Sequence, residues 1–251
     1  MNILAIIPAR IGSKGVREKN LLKIGNYSLV ERALFTAIGC KVINRIIVSS
    51  DSKKTIDLVN KYGDYAPFKR ASILATDQAT SLSVIQDALA WAEKSDKINY
   101  QYIVLLEPPS PFRLPVHIEK ALEIAVSTKA SSVVSVVEVG DHHPIRMKKM
   151  KSGGALRGIL MDEPDGVRRQ DQDPVFIRNC AVYVFPTKTI KGNSLWGDAP
   201  YGYLMDRTLY AINIDEPIDV LTARAFYEQM QIQKKSLNKI EFIPLLTVGS
   251  K

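Results

Sequence analysis

Five consecutive apolar residues, Ile3-Leu4-Ala5-Ile6-Ile7, run directly into Pro8-Ala9-Arg10-Ile11-Gly12-Ser13-Lys14-Gly15-Val16-Arg17-Glu18-Lys19-Asn20. A strand that is apolar at odd and even positions alike is buried on both faces, as in the middle of a sheet covered by helices on each side. The chain beyond repeats the theme. Helical spacing over Leu29–Ile38 follows the loop, then a strand over Arg45–Ser50, with Asp51 placed to cap a helix reaching Tyr62. Thr80 and Ser81 precede a helix over Leu82–Glu93; Tyr102–Leu106 reads as a strand, Leu114–Val126 as a helix and Ser132–Val139 as a strand. Strands alternating with helices of this length predict an α/β fold with a mainly parallel sheet.

The rhythm breaks after Val139. Residues 140–175 hold Gly153-Gly154, Gly158, Gly166 and three prolines amid charge of both signs, which predicts an inserted lobe of loops or hairpins. Regular structure is expected again at Ala181–Phe185, closed by Pro186, then in a strand over Leu209–Ile214 and a helix from Pro217 to about Gln231.

The loop after the first strand carries two glycines and four basic side chains, Arg10, Lys14, Arg17 and Lys19. Glycines let backbone N–H groups approach phosphate oxygens, and the cations neutralise their charge. Its position matters too, because ligands of open α/β sheets settle at the carboxyl ends of the strands. Two residues separate Gly12 from Gly15 and Val16 follows, so the loop is not a Walker A sequence, and G-x-G-x-x-G is absent.

Composition narrows the partners. With 34 Lys+Arg against 26 Asp+Glu the net charge is +8, and the first 23 residues hold +4 of it. The excess favours anionic ligands. Neither a nucleic-acid reading motif nor aromatics interleaved with the basic residues accompany it, so nucleic acid is not expected. No apolar run reaches the ~20 residues of a bilayer span, and Cys40 and Cys180 form no CxxC pair, which predicts a soluble, reduced, cytoplasmic chain. Ser110 lacks a Ser/His/Asp pattern. His142-His143-Pro144 lacks partners at zinc spacing. Cys180 reads as a small buried hydrophobe.

The motif Pro8-Ala9-Arg10-x-Gly12-Ser13-Lys14-Gly15-x-x-x-Lys19-Asn20 resembles the signature loop of the CMP-sugar synthetases, the acylneuraminate and related nonulosonate cytidylyltransferases. The resemblance continues through Ile47–Asp51, Arg70, Ala75–Ser81, Leu105–Arg113, His142–Pro144, Arg169-Gln170, Asn179–Tyr183 and Ile214-Asp215, so it covers about residues 3–230 in order. It implies a Rossmann-like, mainly parallel sheet of the nucleotide-diphospho-sugar transferase type, a single domain over 1–232 with a small inserted dimerisation lobe at about 140–195, and a tail over 233–251. It also implies transfer of CMP from CTP to the anomeric hydroxyl of a 2-keto sugar acid, with Mg²⁺ and in a homodimer.

Carried over by position, Ala9, Arg10, Gly12, Ser13, Lys14, Gly15 and Lys19 are expected at the triphosphate. Asn20, Arg70 and Ser81 are expected to fix the nucleotide. Glu107, Arg113, Arg169, Tyr183 and Trp196 are expected toward the sugar, and Asp215 with Asn213 at the metal. From the residues alone, Asp215 is equally suited to cap the helix that Pro217 opens, Tyr183 to pack in the core, and Arg168-Arg169 to pair with Asp165 and Asp171. Asn213 stands where a second Asp is common in the family. Glu107 stands where sialate enzymes carry Gln, and Cys180 ends an Arg-Asn-Cys where Arg-Pro-Asn-Gly is more usual. An ionised Glu107 ~4 Å from a sugar carboxylate would oppose it by roughly 4 kcal/mol at an effective dielectric of about 20. Activation of ketodeoxyoctonate (Kdo) or an amino analogue, and a non-catalytic CTP- or sugar-binding module, are the alternative readings.

Overall fold

The computed structural model describes residues 1–12, 15–160, 163–166, 168 and 172–236. The first strand, β1 (Ile3–Pro8), is the seam of the molecule. Ile3, Ala5 and Ile7 enter one apolar layer, while Leu4 and Ile6 enter the other. A two-residue ribbon follows, β2 (Lys23–Ile24) with β3 (Tyr27–Ser28), and delivers the chain to helix α1 (Leu29–Gly39). Ser28 and Glu31 form a reciprocal capping box at its start.

Strand β4 (Arg45–Ser49) leads into α2 (Lys53–Val59). The cap here is Ser52, not Asp51, and the helix ends three residues before Tyr62. Asp51 is diverted, because its carboxylate accepts from the Ile11 N–H at 3.0 Å. Next come α3 (Ser81–Asp96), β5 (Tyr102–Leu105), α4 (Pro115–Thr128) and β6 (Ser132–Glu138). The insertion holds two single-turn 3-10 segments and a hairpin, β7 (Lys148–Met150) with β8 (Leu156–Gly158). Strand β9 (Phe176–Pro186) returns to the centre of the sheet, followed by α5 (Thr187–Lys191), β10 (Pro200–Leu204), α6 (Arg207–Tyr210) and α7 (Pro217–Ser236).

The main sheet has the order β10-β6-β9-β5-β1-β4. It is parallel at β1/β4, β1/β5 and β10/β6, and antiparallel on both sides of β9. Helices α1 and α4 pack Ala33, Leu34, Ile118 and Leu122 on one face, and α3 packs Ile85, Ala88 and Leu89 on the other. The expected α/β architecture is present, with β9 as the reversed strand. A third cluster around Ile24, Leu29, Phe112 and Ile214 seats α7.

One expected strand is absent and another forms where none was expected. No strand forms over Leu209–Ile214; Asp206 instead caps the short helix α6, accepting from Thr208 N–H at 2.7 Å, and the chain to Glu216 is irregular. The sheet's edge at β6 is taken by β10, a Pro- and Gly-containing segment whose local sequence hides its strand character. The apolar stretch Phe242–Leu246 in the tail lies outside the described residues.

Candidate functional site

A cleft of about 610 Å³ opens where β1 and β5 end, lined from three sides. Pro8, Arg10, Gly15, Lys19 and Asn20 come from the first βα turn; Arg70, Thr76, Asp77, Thr80 and Ser81 from the approach to α3; and Glu107, Cys180, Asn213 and Asp215 from the far wall.

The turn is held from behind. Ser50 Oγ donates to the Ala9 carbonyl at 2.6 Å, Asn20 Nδ2 to the Arg10 carbonyl at 2.8 Å, and the Ile11 N–H to Asp51. Ala9 is thereby held as scaffold, Asn20 is tied to the turn while still lining the cleft, and the charged side chains that the turn presents there are Arg10 and Lys19. Arg10 pairs with Asp77 at 2.8 Å and Lys19 with Asp215 at 2.7 Å. Arg10 and Lys19, two of the three cations expected at the triphosphate, thus each meet a carboxylate at the cleft. Gly12 is exposed with open space at its Cα; Ser13 and Lys14 lie outside the described residues.

Gly15 has a sharper reason to be glycine. A Cβ there would sit 2.0 Å from the Asp215 carbonyl oxygen, so the turn and the Asp215 segment touch backbone to backbone. Gly15→Ala is therefore expected to push them apart and reduce turnover by about 10²-fold, as misplacement by ~1 Å can do. Steady-state kinetics within threefold of the unsubstituted chain would contradict this.

Arg70 is buried along the cleft wall, its Nε donating to Ser49 Oγ at 2.9 Å and Nη2 to the Ser49 carbonyl. Burial lowers its pKa to about 10. Ser81 opens α3, whose N-terminus faces the cleft with Thr80 as cap.

The far wall departs from expectation at several points. Arg113 is only 2% exposed and does not line the cleft. Its guanidinium donates to the Ala181 carbonyl at 2.6 Å and to the Glu107 carbonyl, tying the β5 exit to β9. Tyr183 is buried behind the wall with its hydroxyl on Cys180 Sγ at 3.3 Å. Trp196 is half-exposed outside the cleft, beneath the Arg178 guanidinium at 5.2 Å. Arg169 lies outside the described residues.

Cys180 packs half-buried against the core layer beneath and also lines the cleft wall beside Glu107. Burial raises the pKa of Glu107 above the ordinary carboxylate range, opposed by Cys180 and Arg113. That shift weakens the charge conflict expected of an ionised Glu at this position.

Asp215 does not cap α7. Asp219, in the first turn of α7, instead reaches back to accept from the N–H groups of Asp215 and Glu216 at 2.9 and 2.7 Å. The Asp215 carboxylate is left for Lys19 and for the Asn213 amide, 2.5 Å away. Asn213 and Asp215 were expected to share a face by strand alternation; they meet without a strand, because Ile214 is pinned by its N–H to the Pro109 carbonyl at 2.9 Å. Among the described residues no group of three or more His, Cys, Asp or Glu is placed to hold a metal. Thr76, Asp77, Thr80, Cys180 and Glu216 also line the cleft although none was expected there as a site residue; the resembling segments Ala75–Ser81 and Asn179–Tyr183 contain four of them, but only the tertiary structure turns these side chains to the cleft.

Comparison with known proteins agrees with this geometry. The chain is 31% identical over 226 residues to the CMP-N,N'-diacetyllegionaminic acid synthase of Legionella pneumophila, covering 87% of this chain and 93% of that one. It is 38% identical over 248 residues to the N-acylneuraminate cytidylyltransferase of Escherichia coli O18:K1:H7, covering 94% of this chain and 54% of the relative. Among solved structures, a CMP:2-keto-3-deoxy-manno-octonic acid synthetase complexed with CTP superimposes with a TM-score of 0.67 at 14% identity, over 92% of this chain and all of that one, a likeness of fold. The model of the cytidylyltransferase family matches residues 4–232, and the chain belongs to that family of nucleotidyltransferases.

Proposed function

We propose that the chain transfers CMP from CTP to the anomeric hydroxyl of a nonulosonate, a nine-carbon 2-keto sugar acid of the sialic or legionaminic type, releasing pyrophosphate. The observation that carries this reading is the cleft's polarity. Arg10 and Lys19 sit on the first βα turn, paired with Asp77 and Asp215, while Glu107 and Cys180 lie on the far wall. A triphosphate supplies the anionic oxygens that replace those carboxylates, and phosphoryl transfer needs such charge neutralisation and alignment more than covalent help. The names of the relatives support the sugar class.

In this reading Arg10, Lys19 and the N–H groups of the turn hold the phosphates, and Arg70 and Ser81 orient the nucleotide. The sugar's C2 hydroxyl attacks the α-phosphorus in line, and pyrophosphate leaves toward Lys19. Mg²⁺ fits the chemistry of the donor set: Asp215 offers one carboxylate at the cleft, Asn213 would add a carbonyl oxygen once its amide, which now donates to Asp215, is turned over, and such an ion takes its remaining ligands from phosphate and water. Bound there, it would supply Lewis-acid charge stabilisation on phosphate oxygens. Residues 1–232 form the catalytic unit. The insertion, where Met150, Leu156 and Leu160 are exposed, forms the dimer contact. No described helix is long and apolar enough to cross a membrane.

The test is pyrophosphate release from CTP and Mg²⁺ with a panel of keto sugar acids. Release with a nonulosonate is expected. Release with Kdo alone supports the alternative sugar, and CTP binding without release from any sugar supports a non-catalytic module. Within the same panel, Glu107→Gln is expected to shift preference toward N-acetylneuraminate, since an amide both donates and accepts. Unchanged selectivity would remove Glu107 from sugar choice.

A further inference from the structure

Asp215 lies in the irregular stretch between α6 and α7, so its backbone is fixed by individual contacts and not by a ladder. On one side Ile214 is buried in the third apolar cluster, and its N–H donates to the Pro109 carbonyl at 2.9 Å. From the turn, Gly15 closes on the Asp215 carbonyl oxygen. On the other side Pro217 opens α7 with a pre-set φ and no N–H of its own. Between Ile214 and Pro217 stand the N–H groups of Asp215 and Glu216, and both end on one side chain.

That side chain is Asp219. Its Oδ2 accepts from the Asp215 N–H at 2.9 Å and the Glu216 N–H at 2.7 Å, and its own N–H donates to the Glu216 carbonyl at 3.1 Å. An acidic side chain at the third position of a helix can reach back to the N–H just ahead of the first turn. Here it reaches one residue farther. The second N–H belongs to the residue whose carboxylate accepts from Lys19 at 2.7 Å and from the Asn213 amide at 2.5 Å.

We propose that Asp219 is the positioning residue of the Asp215 carboxylate: by holding these two N–H groups it fixes the backbone from which that carboxylate faces Lys19 and the cleft. This rests on the reading that CMP transfer takes place in the cleft. Asp215 lines the cleft, Asp219 does not, and Asp219 acts through Asp215.

Asp219→Ala frees both N–H groups. The expected result is kcat lowered about tenfold with the CTP and sugar KM within threefold, the pattern of an interaction that matters in the transition state and not in ground-state binding. Both bonds end on a single oxygen, which an amide also offers, so Asp219→Asn restores kcat to within threefold. Asp219→Ser keeps a residue suited to a helix start, but its hydroxyl is one bond too short to meet both N–H groups. It shows the same tenfold loss with a melting temperature within a few degrees of the unsubstituted chain, which separates positioning from unfolding even where the alanine variant is unstable. In an Asp215→Asn background, Asp219→Ser changes kcat less than threefold, because residues that act as a unit are not additive. A serine variant with unaltered kcat overturns the inference, as does an asparagine variant impaired like the serine one, or full additivity with Asp215→Asn. Those outcomes leave the cytidylyltransferase reading standing. A wild-type chain that releases no pyrophosphate with any sugar overturns that reading and this inference together.

Discussion

Lys19→Met is expected to reduce kcat/KM for CTP by about 10²–10³-fold, comparable to removing one preorganised donor from a transition-state charge. Lys19 sits at the end of the first βα turn with its side chain only 15% exposed, and its ammonium meets Asp215 at 2.7 Å. Once a triphosphate enters, that ammonium is the cation nearest the Asp215 wall, where charge on the departing pyrophosphate would develop. Charge-assisted hydrogen bonds of this kind are roughly twice as strong as neutral ones. Stability is expected to change little, since Asp215 is well exposed and such pairs contribute about 0–1 kcal/mol. The measurement is steady-state kinetics with varied CTP beside a thermal melt. Activity within threefold of the unsubstituted chain would remove the turn from phosphate binding.

Arg113→Leu should fail differently, through stability. The guanidinium is enclosed, its pKa lowered to about 10 by burial, and it serves the Ala181 and Glu107 carbonyls. Replacement strands both acceptors in an apolar surround, a loss of about 3 kcal/mol. At about 2–4 °C per kcal/mol for a chain of this size, the melting temperature should fall by about 6–12 °C. Arg113→Lys should recover only part of this, because an ammonium lacks the planar fork that spans two carbonyls. A sugar KM raised tenfold at an unchanged melting temperature would return Arg113 to the role of a sugar contact.

Arg113 shows where sequence reading reaches its limit. Its position after Pro108-Pro109-Ser110-Pro111-Phe112 marks it as part of the site region. Whether its charge faces a ligand or the backbone depends on what lies 68 residues away in Ala181. Trp196 is similar: its carbonyl accepts from Ser131 and Ser132, which holds the ring outside the cleft. The strand expected at Leu209–Ile214 failed for another reason. Apolar content is necessary for a strand but not sufficient, and β10 holds the neighbouring sheet edge while Asp206 starts a helical turn.

What was legible was whatever local pattern determines. The doubly apolar β1, the glycine-bearing turn after it, the helices of the first half and their alternation with strands follow from periodicity, capping chemistry and backbone freedom over a few residues. Arg10, Lys19 and Glu107 line the cleft, Arg10 and Glu107 just past the carboxyl ends of buried strands and Lys19 farther along the first βα turn. The pairing of Arg10 with Asp77 and Lys19 with Asp215, the reversal of β9 and the left-handed turn at Cys180 were decided only by tertiary structure. Each depends on residues distant in sequence competing for one hydrogen-bonding partner, and that competition is settled only when the sheet closes.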